Sequence, residues 1–177
     1  YNIARNYRNS YNMFISNGIL FNHESPRRGS NFVTSKIVKG AIAIAAGEAT
    51  ELRLGNLDAT RDWGHAKDYV KAMWMILQAE KPDDYVCSTG ISHSVRDCCE
   101  YVFDKLNMNY KDYVVLDERF LRPEELRDLK GDSTKIRTKL GWEPEYTFET
   151  LLDDMMVNDP NYYKAFKDVH TPYDVVR

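Results

Sequence analysis

The chain has 177 residues, 43% of them apolar and 12% aromatic, which is enough for a packed core and excludes a disordered segment. Its 24 basic and 27 acidic side chains leave a net charge of −3, so there is no basic footprint for nucleic acid, and no apolar run reaches the length of a membrane span. The cysteines, Cys87, Cys98 and Cys99, are odd in number and include no Cys-x-x-Cys pair, which argues against a disulfide framework or a zinc site and makes a reducing, cytoplasmic setting the default.

The opening stretch reads as helix, with Ile3, Tyr7 and Tyr11 at i, i+4 and i+8 and no cap before it. The expectation is a piece of a longer polypeptide. A strand is predicted over Ile15–Phe21, followed by a polar turn holding Asn22, His23, Glu24, Arg27 and Arg28. Phe32 and Val33 lead into a helix running to Ala46, with Gly47 as its stop. Glu51–Leu54 reads as a short strand. A second polar turn, Leu57–His65, precedes a helix over Ala66–Glu80 with Val70, Trp74 and Leu77 on one face. Lys81-Pro82-Asp83 breaks it.

Tyr85–Cys87 reads as a strand. Ser92 or Ser94 can cap the next helix, and Ser94 with Asp97 has capping-box spacing. Its apolar stripe is Val95, Cys98, Cys99, Val102, Phe103 and Leu106. Tyr113–Leu116 is a strand and Arg119–Leu129 a charged loop. Lys135–Leu140 is a helix closed by Gly141, and Thr147 starts a last one. Strands alternating with helices give an α/β class. No Gly-x-x-Gly-x-x-Gly turn occurs, so a dinucleotide-binding half with its first βα turn is expected outside this sequence.

Four clusters carry the chemistry. Polar groups at a strand end are where open α/β sheets bind ligands, and paired arginines at 27 and 28 point to phosphate, against the plain alternative of a solvated basic turn. Asn31–Lys36 opens a helix, whose backbone N–H groups favour anions, with Lys36 placed for a phosphate or a base carbonyl. Arg61 stands between a strand and a helix, a position that suits a diphosphate. Asp62 and His65 can be an acid/base pair or helix-orienting groups, and the second reading is preferred. Arg122-x-x-Glu125 can set a guanidinium on a phosphate and a carboxylate on a sugar hydroxyl or a base N–H.

The strings NHESPRRG, NFVTSK and GNLDATRDWGHAKDY resemble the GDP-mannose 4,6-dehydratases, a family of extended short-chain dehydrogenases/reductases. The likeness runs from Tyr1 to about Met156. It implies the C-terminal part of a Rossmann-like parallel sheet plus a smaller α/β substrate-binding domain. Residues 1–30 are then the last part of the NADP-binding domain. Residues 31–158 mainly hold the sugar nucleotide, with about 66–90 returning to the Rossmann sheet, and 159–177 stay unassigned. His23 and Arg28 would bind NADP. Asn22, Asn31, Val33, Lys36, Arg61, Arg122 and Glu125 would bind GDP-mannose. Glu24 and Arg27 are expected to pair with each other or with solvent.

The implied activity is that of a lyase. NADP⁺ takes hydride from C4 of the mannose, water leaves across C5 and C6, and the hydride returns to C6, giving GDP-4-dehydro-6-deoxy-mannose on the route to GDP-fucose. A homo-oligomer is implied for the whole protein, with no metal. The resemblance places none of the family's catalytic groups on these residues, and Tyr1 is followed at the fourth position by Arg5 rather than Lys, so the chain alone is expected to be inactive. The alternatives are another GDP-sugar reductase or epimerase of this fold, or a non-catalytic sugar-nucleotide-binding module.

Overall fold

A computed structural model describes residues 1–121 and 128–166. In chain order the elements are α1 (Asn2–Tyr11), β1 (Asn17–Leu20), β2 (Asn22–Glu24), α2 (Val33–Ala45), β3 (Leu52–Leu54), β4 (Thr60–Arg61), β5 (Trp63–His65), α3 (Ala66–Leu77), β6 (Asp84–Cys87), β7 (His93–Ser94), α4 (Val95–Lys105), β8 (Val114–Leu116), α5 (Thr134–Leu140) and α6 (Phe148–Val157). The chain forms two units. The first holds Tyr1–Glu24, Thr60–His93 and Asp128–Leu151; the second holds Ser25–Ala59 and the described residues of 94–127 and 152–177.

In the first unit, β1 and β6 pair in parallel with Asn17 opposite Asp84 and Leu20 opposite Cys87. A parallel pair needs a crossover, and the chain returns through α3. β2 and β5 form a second parallel pair, Asn22 opposite Trp63 and Glu24 opposite His65. The core gathers Tyr69, Ala72 and Ile76 of α3, Tyr85 and Cys87 of β6, Ile136 of α5, and Trp142. The Trp142 indole N–H donates to the Asp68 carbonyl at 2.9 Å, so this bulky side chain is buried without an orphaned donor.

Helix α1 buries no residue at all. Its tether is ionic. Arg8 grips the Asp84 carboxylate through two bonds of 2.9 and 3.0 Å, and Asn17 Nδ2 donates to the same group at 2.6 Å. On the neighbouring residue, Lys135 of α5 lies 2.7 Å from Asp83. Adjacent carboxylates at the start of β6 thus anchor one helix each.

In the second unit, α2 packs on α4 and on the parallel pair β3–β8, in which Leu52 lies opposite Val114. Ile37, Val38, Ala41, Ile42, Cys98, Val102 and Phe103 are buried there. Ser94 caps α4 in a full capping box with Asp97, as the spacing predicts. Gly47 after α2 and Gly141 after α5 take positive φ of 72° and 66°.

Three expectations differ from the structure. The predicted strand Ile15–Phe21 is shorter, and the polar turn after it contains a second strand, β2, whose backbone groups pair with β5. The polar turn Leu57–His65 likewise contains β4 and β5. On α3 the stripe Val70, Trp74 and Leu77 is exposed, at 61%, 63% and 62%, because Tyr69, Ala72 and Ile76 form the buried face.

Hydrogen bonding to Arg8 is the main reason the Asp84 carboxyl sits below its usual range, and desolvation opposes it. A depressed carboxylate stabilises the fold above its unfolded pKa and loses that contribution as pH falls through the folded value. Stability is therefore expected to drop below about pH 4. Urea titrations from pH 7 down to about 2.5 check this, and in Asp84→Asn the Asp84 part of the acid dependence should vanish.

Candidate functional site

The first unit places Asn22, His23 and Arg61 around the β2–β5 pair. His23 is half-buried, and its Nδ1–H donates to the Phe21 carbonyl at 2.9 Å. With Nδ1–H engaged in this way, Nε2 is the acceptor of the uncharged ring. Its ring lies against Tyr69, centroids 5.2 Å apart and planes at 28°. Opposite His23 in the register is Gly64, where a Cβ would stand 2.5 Å from the Tyr69 ring. Only glycine lets Tyr69 pass beneath the strand to meet His23. Burial first, and then the Asp62 charge, push the Tyr69 hydroxyl above its usual value, so it holds its proton at neutral pH.

Arg61 ends β4 half-buried, with Nη1 donating to the Thr60 carbonyl at 2.6 Å. The next residue fixes the loops around it. Asp62 is fully buried, and its carboxylate accepts from Thr89 N (2.9 Å), Thr89 Oγ1 (2.6 Å), Gly90 N (2.9 Å) and Gly131 N (3.2 Å). His65 Nδ1 accepts from Lys67 N at 3.0 Å and caps α3, while its ring stacks on Tyr146 at 3.9 Å. Asp68 accepts from Tyr146 N at 3.1 Å. The helix-orienting reading thus holds for His65. Asp62 differs: it ties loops rather than capping a helix. Asp62 accepts from Thr89, Gly90 and Gly131, and His65 Nδ1 takes the Lys67 N–H, which favours structural roles for both.

The second unit places Arg28, Asn31, Val33 and Lys36 at the entrance to α2. Arg28 lies over the Phe32 ring at 3.5 Å, and Ser35 Oγ donates to the Arg28 carbonyl at 3.0 Å. Phe32 is the N-cap and makes no side-chain cap. Lys36 is half-buried in the first turn, its ammonium 3.6 Å from the centre of the Phe120 ring. Burial lowers its pKa, with Asp117 acting in the opposite direction. The solvent reading of Glu24 fails, because that side chain is only 1% exposed. Arg122 and Glu125 lie outside the described residues. No group of carboxylates, histidines and cysteines able to hold a metal occurs among the described residues, and no described helix is long and apolar enough to cross a membrane.

Sequence reasoning gave no role to Tyr69, although it closes the string GNLDATRDWGHAKDY, or to Thr89 and Phe120. Each acts from a distant segment on a residue that a motif had marked.

Parallel strand pairs joined through helices are the pattern of a Rossmann-like α/β protein. Solved structures share this fold: an RMD from Pseudomonas aeruginosa complexed with NADPH (TM-score 0.77, 18% identity, 93% of this chain and 52% of that one) and a dTDP-glucose 4,6-dehydratase from Bacillus anthracis in complex with NAD (TM-score 0.74, 23% identity, 93% and 49%). The family model for GDP-mannose 4,6 dehydratase matches residues 1–155, and the chain belongs to that family. It is 53% identical over 162 residues to GDP-mannose 4,6 dehydratase 2 of Arabidopsis thaliana, covering 92% of this chain and 43% of that protein. It is 46% identical over 176 residues to the GDP-mannose 4,6 dehydratase of Homo sapiens, covering 90% and 47%. The chain therefore spans about half the length of these curated relatives.

Asp62→Asn should lower the unfolding free energy by about 3 kcal/mol in urea titration, because an amide cannot accept on both sides and its NH₂ would face a buried N–H donor. Burial pushes the Cys87 and Cys99 thiols up to about 11 and about 12. All three buried cysteines should resist a disulfide thiol reagent in the native chain and react once it is unfolded.

Proposed function

We propose that this chain is the sugar-nucleotide-holding part of a GDP-mannose 4,6-dehydratase, a hydro-lyase that converts GDP-mannose to GDP-4-dehydro-6-deoxy-mannose and water at the first step of GDP-fucose and GDP-deoxyhexose synthesis. The 53% identity to a curated relative over nearly the whole chain is the observation that supports it most. Arg61, Arg122 and Lys36 supply fixed positive charge for the diphosphate and the base. Several charge-assisted bonds hold a diphosphate without touching the reacting hexose, so binding energy far from the chemistry orients the sugar. Asn22, Asn31 and Val33 line the nucleotide and Glu125 accepts from the base.

NADP suits the donor set of His23 and Arg28. The His23 ring is held by Tyr69 and the Phe21 carbonyl, which leaves Nε2 to accept from a ribose hydroxyl or a carboxamide. The Arg28 guanidinium fork, stacked on Phe32, matches a phosphate. When bound, that cofactor would take up and return the hydride. The whole enzyme works in the cytoplasm as a homo-oligomer.

Calorimetric titration of the 177-residue chain with GDP should show binding. Arg61→Ala should weaken it about tenfold or more, the worth of one charge-assisted hydrogen bond. An absence of heat from the intact, folded chain overturns the reading. GDP-mannose and NADP⁺ should yield no 4-keto product on this chain alone; turnover would place the catalytic groups within it.

A further inference from the structure

The contact between Lys36 and Phe120 is built by several independent features of the second unit. β3 and β8 run in parallel, and the pairing continues one step past β8, where Asp117 N donates to the Leu54 carbonyl at 2.8 Å. Asp117 then caps the single 3-10 turn Glu118–Phe120 through the Arg119 N–H at 3.0 Å. The turn can seat itself against the end of β3 only because residue 55 is glycine; a Cβ there would stand 2.5 Å from the Phe120 carbonyl oxygen. The result is an aromatic ring, 48% exposed, directly beneath the Lys36 ammonium.

Asp117, whose charge acts on that ammonium, is committed to other partners. The Asp117 carboxylate is taken by Arg119 at 2.6 Å and Arg53 at 3.6 Å, and among the described residues no carboxylate pairs with Lys36. A carboxylate partner would both orient a lysine and neutralise it. An aromatic face orients the cation while leaving its charge and its N–H groups for another acceptor. A lysine stem carries several rotatable bonds, so holding it in advance removes part of the entropy cost of gripping a ligand.

We propose that Phe120 is a positioning residue for the nucleotide: its ring holds the Lys36 ammonium in place to donate to an oxygen of the nucleoside diphosphate. This rests on the reading of α2's entrance as a nucleotide subsite. The test uses the full 177-residue chain in its wild-type, Phe120→Leu and Phe120→Tyr forms. With the lysines carrying ¹³C-methyl groups, and the Lys36 signal assigned by its loss in Lys36→Arg, that signal should be shifted upfield by the ring. The shift should persist in Phe120→Tyr and disappear in Phe120→Leu.

Titration with GDP should give Phe120→Leu a dissociation constant roughly fivefold weaker, equivalent to about 1 kcal/mol, with Phe120→Tyr near wild type. An unshifted Lys36 signal in the wild type overturns the proposal. So does GDP binding that Phe120→Leu leaves unchanged. If the wild type shows the ring shift but binds no GDP, the nucleotide reading falls and the positioning role falls with it. That outcome is distinct from wild-type binding that ignores the ring.

Discussion

The Asp62 carboxylate takes its hydrogen bonds from both sides of a gap in sequence: Thr89 and Gly90 beyond β6, and Gly131 ahead of α5. A buried carboxylate is costly unless its oxygens are satisfied, and here only backbone N–H groups and one hydroxyl do it. The three segments are therefore tied to one another through a single buried carboxylate. Arg61 is the residue before this knot, and its position is inherited from it. The acid beside the arginine is spent on structure.

Two kinds of interaction divide the remaining work. Apolar packing around Trp142 and Tyr69 makes the first unit's core, and α2 against α4 makes the second's. Charge holds what packing does not. Helix α1 buries nothing and is retained by Arg8 on Asp84, a pair whose side chains are 13% and 14% exposed. Such a bidentate, half-sheltered pair is worth more than an open surface bridge, because screening by water and salt is weaker there.

Much of the architecture was legible because local rules govern it. The Ser94–Asp97 box, the glycines after α2 and α5, and the apolar stripe of α4 all lie within a few residues of the element they define. The marked residues of the candidate site were legible as motifs. Their settings were not. His23 owes its orientation to Tyr69, 46 residues on, and Lys36 owes its own to Phe120; Tyr69 closes the GNLDATRDWGHAKDY string, yet nothing in that string shows that it meets His23. Helix α3 shows the limit of periodicity: Val70-Trp74-Leu77 and Tyr69-Ala72-Ile76 are both apolar at helical spacing. The choice between them was made by tertiary partners, Trp142 and β6, that no local pattern displays. β2 was hidden for a related reason. Asn, His and Glu have little strand propensity, and only pairing with Trp63–His65 makes them a strand.

The division of the chain into alternating segments has a kinetic side. The first unit draws on Tyr1–Glu24, Thr60–His93 and Asp128–Leu151, so its last contribution, carrying Gly131, Ile136 and Trp142, follows α2 and α4 of the second. On a ribosome, the Asp62 knot and the Trp142 core would stay open until the chain has been made past residue 142. Domains usually fold as units in order of synthesis, and distant contacts slow the search because loop closure must precede their reward. This layout removes the option of finishing one unit before starting the other. Early-made segments of the first unit must wait for their last partners, a consequence of where the chain crosses between its units.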